Sequence, residues 1–357
     1  MISKECFSSD WIQNIRQKIG KVDPTLLEKT IYAIELFGQL CENRVDFVFK
    51  GGTSLLLLIP QWGRFSTDID IVCEESEEKL HHVFDTIIKS KNFTRWAENP
   101  RKPSGVPKKH FKFFYQSVIN QREDYVLLDL LNESYSFQDI QTVKIKIDYV
   151  KISNAVSVKI PSLNWLIGDK LTAFAPNTIG ILYKSDKALS IMKQLYDLGE
   201  LFPFVTDIQS ISDSYHTFLG FQNKYLSTSF SDQETLADTL EACYLICQID
   251  LKSSIENHYT SILREGVNKI NSHLISKKYT LNDSKIAASR TALLATILTN
   301  SQYKFVKNYI KFEPEDINQF QTYELRNQYQ RLNRLKYILP EAFYYWHLIS
   351  KLENERE

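Results

Sequence analysis

The chain has 357 residues, enough for two domains or for one domain with a large helical extension. Forty-three Lys and Arg balance forty-three Asp and Glu, so total charge implies no nucleic-acid partner, while 43% hydrophobic and 13% aromatic residues describe a well-cored soluble protein. Five scattered cysteines without a CxxC motif point to free thiols, and with no leader or membrane-length apolar stretch visible the expected compartment is the cytoplasm.

Met1 to Cys41 reads as helical. Asp23-Pro24 can start a helix, and Leu27, Ile31, Ile34 and Leu40 keep to one stripe. The informative stretch is Asp46 to Val72. Phe47-Val48-Phe49 predicts a short strand, Gly51-Gly52 a turn, and Leu55 to Ile59 a short helix that Thr53 or Ser54 can cap and Pro60 stops. Asp68-Ile69-Asp70-Ile71-Val72 predicts a second strand, whose period of two places Asp68 and Asp70 on one face. Two carboxylates that close repel each other unless a cation lies between them, and hard divalent ions take such oxygen ligands. The amides of a glycine turn leading into a helix attract phosphate. Alone, Gly-Gly is most often a plain turn and Asp-x-Asp usually faces water; together they point to a nucleoside triphosphate site. Neither GxxxxGK[ST] nor GxGxxG occurs.

Glu74 to Lys91 predicts an amphipathic helix covering the sheet. Arg95, Arg101, Lys102, Lys108, Lys109 and Lys112, interrupted by Pro100, Pro103 and Pro107, predict a basic loop that suits RNA phosphates or a triphosphate as well as solvent. Phe111 to Gln116 and Tyr125 to Leu131 predict two strands, the second apolar except for Asp129. A carboxylate inside such a strand is costly unless paired or metal-bound, which makes Asp129 the preferred third carboxylate. Val143 to Tyr149 predicts another strand and offers Asp148 as the competitor, although alternation with lysines suggests that it faces solvent.

From Ser162 the pattern is helical. Lys170 lies among apolar neighbours, where snorkelling is the plain reading, and Lys193 and Asp197 share a helix face. Thr235 to Leu251 and Ser284 to Leu298 are core stripes, with Cys243 and Cys247 as buried small side chains. Tyr303 to Lys336 mixes tyrosines with Lys and Arg, as protein packing or as an RNA-facing surface.

These stretches resemble the nucleotidyltransferase toxins of the AbiEii/AbiGii family, within the DNA polymerase beta-like nucleotidyltransferase superfamily. The resemblance rests on Phe49-Lys50-Gly51-Gly52-Thr53-Ser54-Leu55, Arg64-Phe65-Ser66-Thr67-Asp68-Ile69-Asp70-Ile71, the strand around Asp129, Asp169-Lys170-Leu171-Thr172-Ala173 and Lys193-Gln194-Leu195-Tyr196-Asp197-Leu198; no motif extends beyond about Pro203. It implies an α/β fold, a polymerase beta-like mixed sheet with flanking helices followed by a large helical region. Residues 1–45 would be a helical segment packing on the catalytic domain, 46–160 that domain, and 161–357 a helical domain completing the cleft.

The resemblance further implies that Gly51, Gly52, Thr53 and Ser54 cradle phosphate, with Arg64 and Ser66 beside them. Asp68, Asp70 and Asp129 would hold Mg²⁺, or Mn²⁺ in its place. Lys170 would contact the triphosphate of an NTP, and Asp197 would support the site. The implied reaction moves a nucleoside monophosphate from the NTP to an acceptor hydroxyl, the 3′ end of tRNA or another RNA, in a toxin that has a separate antitoxin and no membrane partner. A small-molecule, antibiotic-modifying nucleotidyltransferase and a catalytically silent nucleotide-binding protein stay open as alternatives. A zinc hydrolase is disfavoured, because the histidines form no HExxH motif or cluster.

Overall fold

The computed structural model describes residues 1–20, 22–100, 106–133, 137–252, 254–275, 277–300, 311–313, 315, 317–320 and 322–354. Arg101, Lys102 and Pro103 of the basic segment, and Tyr303, Lys304, Lys307 and Tyr309 of the tyrosine-rich one, lie outside the described residues. Two compact units divide the chain, Met1–Ser162 with Ser272–Lys278, and Leu163–Asn271 with Tyr279–Glu357.

The first unit opens with α1 (Ser9–Ile19) and α2 (Pro24–Glu42). The Asp23 carboxylate caps α2 by accepting from the Thr25 N–H at 2.8 Å, and Pro24 takes the first helical position, where its missing N–H costs nothing. Then follow β1 (Val48–Lys50), α3 (Gly51–Leu58), β2 (Asp68–Val72), α4 (Glu77–Lys89), β3 (Arg95–Glu98), β4 (Lys108–Gln116), β5 (Glu123–Leu131), β6 (Ile140–Lys144) and β7 (Ser157–Pro161). The strands form one mixed sheet in the order β3-β4-β5-β2-β1-β7-β6. In it β2 runs parallel to β5 and antiparallel to β1, and β1 runs parallel to β7.

Strand alternation gives the sheet two unlike faces. On one, Phe49, Ile69, Ile71, Phe111, Phe113, Leu128 and Leu130 are buried. Here α2 and α4 supply the cover: Tyr32 stacks on Tyr115 at 3.7 Å, and Phe84 meets Phe111 and Phe113 edge-on at 5.0 Å each. Each such side chain contributes roughly 1.5 to 3 kcal/mol when fully buried, which fixes the register of the strands that carry them. The same register turns Lys50, Asp68, Asp70, His110 and Asp129 to the opposite face.

Two expectations are corrected by this architecture. Arg95 to Lys112 is not loop throughout, because β3 occupies Arg95–Glu98 and β4 already begins at Lys108. Trp96, packed against His81 and Phe84, gives the edge strand an apolar anchor that the surrounding prolines and charges conceal. The strand expected over Val143 to Tyr149 stops at Lys144, the last residue of the β6–β7 ladder. The chain then turns, with the Val150 N–H bonded to the Ile147 carbonyl at 3.3 Å, and leaves Asp148 exposed off the sheet.

Ser272–Lys278 joins the first unit from far along the chain. The Phe65 N–H donates to the His273 carbonyl at 2.8 Å and the Ile275 N–H to the Gly63 carbonyl at 3.0 Å.

The second unit is helical, with α5 (Leu163–Ala173), α6 (Ala188–Leu201), α7 (Ile208–Leu226), α8 (Asp232–Gln248), α9 (His258–Ile270), α10 (Leu281–Asn300), α11 (Ile317–Phe320), α12 (Leu335–Ile338) and α13 (Pro340–Asn354). A reciprocal capping box between Ser231 and Glu234 starts α8. Cys243 and Cys247 are buried, the indole N–H of Trp346 lies 3.3 Å from Cys247 Sγ, and all five cysteines are free thiols. No described helix is long and apolar enough to cross a membrane.

Candidate active site

Strand β1 passes straight into α3, and Gly51 makes the junction at φ +78, in the left-handed region that favours glycine. A Cβ on Gly51 would stand 2.2 Å from Asp70 Oδ2. One on Gly52 would stand 2.4 Å from an Arg64 guanidinium nitrogen and 3.1 Å from Ser66 Oγ. The two glycines thus bring bare backbone against a carboxylate on one side and a guanidinium on the other.

The helix begins at Gly51, with Lys50 in the cap position, rather than after a Thr53 or Ser54 cap, because the left-handed φ of Gly51 turns the chain from the strand end into the helix at once. Thr53 Oγ1 instead donates to the Asp68 carbonyl at 2.6 Å, tying the turn to β2, and Ser54 Oγ donates to the Gly51 carbonyl at 2.8 Å. Lys50 at the cap position makes no side-chain cap hydrogen bond, which leaves the first-turn amides suited to an anion. Arg64, 3% exposed, donates to the Phe65 carbonyl at 3.1 Å and adds fixed positive charge beside them.

The sheet places Asp70 directly across from Asp129 on one side and from Lys50 on the other. Asp68 is exposed at the start of β2 and Asp70 is half-buried. On the next strand His110 stands opposite Asp129, with its Nδ1 2.7 Å from Asp129 Oδ1. Burial pushes the Asp70 carboxyl up to about 6; Lys108 opposes the rise, Asp129 adds to it, and Lys50 and Asp68 pull in opposite directions more weakly. A divalent cation would relieve the resistance of Asp70 to ionisation, and the hard oxygen donors of the three carboxylates fit Mg²⁺ or Mn²⁺.

Alternation along β4 divides the basic patch. Lys108, His110 and Lys112 lie on the carboxylate face, the Lys112 ammonium 4.4 Å from the centre of the Tyr125 ring. Lys109 lies on the α4 side and is ion-paired to Glu77. On that side Glu77, His81 and Glu98 have ligand atoms within 4.8 Å of one another, a group separate from the aspartates.

Among the residues singled out in the sequence, the first unit brings together Gly51, Gly52, Thr53, Ser54, Arg64, Ser66, Asp68, Asp70 and Asp129. Lys170 and Asp197 belong to the second, where the Lys170 ammonium donates to Asp197 Oδ2 at 2.6 Å and the side chains are 7% and 0% exposed. Asp197 therefore has a partner from another helix, beyond the Lys193 that spacing offered. Asp148 is apart from the aspartate cluster in the turn after β6. Lys108, expected in the basic segment, lies on this face; His110 is the site residue that the sequence reading does not supply, because its partner Asp129 comes from another strand.

The family model for the nucleotidyl transferase AbiEii toxin of type IV toxin–antitoxin systems matches residues 36–323. The chain belongs to this family. As an AbiEii family member it is a nucleotidyltransferase, of a kind that works as the toxin of a toxin–antitoxin pair. No curated protein matches the chain. Among solved structures, a candidate nucleotidyltransferase from H. pylori is 15% identical with a TM-score of 0.40, the alignment covering 78% of this chain and 97% of that one. JHP933 from Helicobacter pylori is 15% identical at a TM-score of 0.38, over 82% and 98%. An antigenic nucleotidyltransferase-like protein from Paracoccidioides brasiliensis is 14% identical at 0.35, over 57% and 94%. Likeness at this level adds nothing about the site of this AbiEii member.

Proposed function

We propose that this AbiEii family member transfers a nucleoside monophosphate from an NTP to the 3′ end of tRNA, depends on Mg²⁺, and inhibits growth unless a separate antitoxin counters it. The observation that carries the reading is the convergence of Asp68, Asp70 and Asp129 on one sheet face beside an uncapped glycine turn. The turn amides would hold the triphosphate, and Arg64 behind Gly52 would offset its charge. Asp68, Asp70 and Asp129 would hold Mg²⁺, which when bound neutralises charge on the transferring phosphoryl group and its neighbours. Lys108 and Lys112 on the same face supply cations for the acceptor's phosphates. The Lys170–Asp197 pair enters the reading from the family motif rather than from its geometry.

The test gives the purified protein each α-labelled NTP in turn, with Mg²⁺ and total tRNA. Label on tRNA that Asp70→Ala abolishes is the expected result, together with slowed growth when the wild type, but not Asp70→Ala, is induced in a bacterial host. Absence of transfer with every nucleotide, or equal transfer by Asp70→Ala, overturns it. An aminoglycoside offered in place of tRNA separates the small-molecule alternative.

A further inference from the structure

At the far end of α3 from the glycine turn, the first unit holds a cavity of about 550 Å³. That volume lies within the range of small-molecule sites, roughly 300 to 1,000 Å³. Its walls are mixed, with Leu57, Ile59, Trp62 and Ile147 supplying the apolar part. Three lysines line it as well, Lys18 from the last turn of α1, Lys144 from the end of β6 and Lys146 just beyond. None of their side chains is ion-paired to a described residue, and Asp148 is the single carboxylate among the lining residues. Tyr149, also in the lining, is 7% exposed, and its hydroxyl has no hydrogen-bond partner among the described residues.

The geometry points to a second binding site, for a small organic anion with an apolar body. Three ammonium groups against one carboxylate match a singly or doubly charged head, whereas a triphosphate would exceed them. The apolar residues take the body, and the lysine ammonium groups take the charged head. None of Asp68, Asp70, Asp129, Gly51 and Gly52 is in the lining, so this site does not depend on the nucleotidyl-transfer reading. Alkyl carboxylates and aryl carboxylates share the required chemistry.

Isothermal titration of the full chain, without NTP, tests the assignment with octanoate, 2-naphthoate and neutral octanol. Saturable one-to-one binding of at least one anion is expected, with octanol weaker by roughly tenfold or more, as loss of a charge-assisted hydrogen bond implies. Binding of octanoate alone assigns an alkyl ligand, and of 2-naphthoate alone an aryl one. Lys144→Ala with Lys146→Ala should weaken binding by a similar factor, and Leu57→Trp should abolish it by filling the space, both with an unchanged circular dichroism spectrum. If Leu57→Trp does not fold, the lysine variant decides. No binding of either anion at millimolar concentration, an equal affinity for octanol, or binding indifferent to the lysine variant overturns the proposal.

Discussion

His110 and Asp129 face each other across the β4–β5 ladder, imidazole Nδ1 to carboxylate Oδ1 at 2.7 Å, with side chains only 10% and 13% exposed. One oxygen of Asp129 is therefore engaged and the carboxylate's rotation is fixed. Groups that orient a ligating carboxylate typically matter about 10- to 100-fold in metal affinity or activity. His110→Ala should lower transfer by about that factor and raise the Mg²⁺ concentration needed for half-maximal rate. His110→Asn, whose amide nitrogen can take the place of Nδ1, should recover most of both. Equal loss in the two variants would remove the positioning role.

Asp70 predicts a pH dependence of stability in the metal-free protein. Its carboxyl holds a proton up to about pH 6 when folded, against an ordinary value of 3.8, so the folded state binds more protons between these limits. Stability falls as pH rises through that window, by about 3 kcal/mol at most, and stays at the lower level above it. Asp70→Asn should consequently be the more stable protein at pH 8 in EDTA, with little advantage at pH 4, while Mg²⁺ narrows the gap. Denaturant titrations at the two pH values provide the check.

Gly51→Ala combines a left-handed φ with a Cβ 2.2 Å from Asp70 Oδ2. Strain of about 1 to 3 kcal/mol is expected, along with displacement of the carboxylate and loss of transfer activity. Gly220→Ala on α7 is the control, since nothing lies within 4 Å of its Cβ. It should leave activity unchanged and stabilise by roughly 0.4 to 1 kcal/mol. Chemical denaturation and activity measured together distinguish the two.

The buried Lys170–Asp197 pair predicts an asymmetric response. Asp197→Ala leaves an ammonium without its carboxylate in the core of the helical unit, at a cost of about 3 to 5 kcal/mol. Lys170→Met combined with Asp197→Leu should restore most of that stability. If Lys170 also serves the triphosphate, the restored double variant will fold and still lack transfer.

Lys108 and Lys112 should count in RNA binding and Lys109 should not. Replacing the first two with Ala removes cations from the aspartate face, weakening binding and flattening its log–log salt slope by roughly 1 to 2. Lys109→Ala only releases Glu77 on the other side of the sheet. Filter binding across a salt series tests this, and an effect of Lys109 equal to that of Lys108 would count against the division.

Sequence reasoning reached the features that one segment determines by itself. The Asp68 to Val72 alternation, the glycine turn and the apolar frame of Asp129 are local patterns, so their elements could be read directly. Cross-strand partners are another matter, since nothing within residues 108–116 announces that His110 will stand opposite Asp129. Lys144-Ile145-Lys146-Ile147 shows how alternation misleads: Ile145 and Ile147 are buried, as in a strand, yet the ladder has already ended. Arg95–Glu98 misled in the opposite direction, because Trp96 is a single anchor among charges. Lys170 and Asp197 were visible one by one, but their bond joins two helices and needs the fold.

Ser272–Lys278 makes the first unit depend on chain far downstream. Until this segment has left the ribosome, the Phe65 N–H and the Gly63 carbonyl, just ahead of Asp68, lack the partners that they have in the finished protein. The approach to the aspartate strand therefore closes only after α5 to α9 have been synthesised. A nascent chain that stalls before residue 278 carries every aspartate of the site without the seam that completes its entry loop. A gene fragment ending at Ser162 would carry the same defect, so the two units cannot be separated by a single cut.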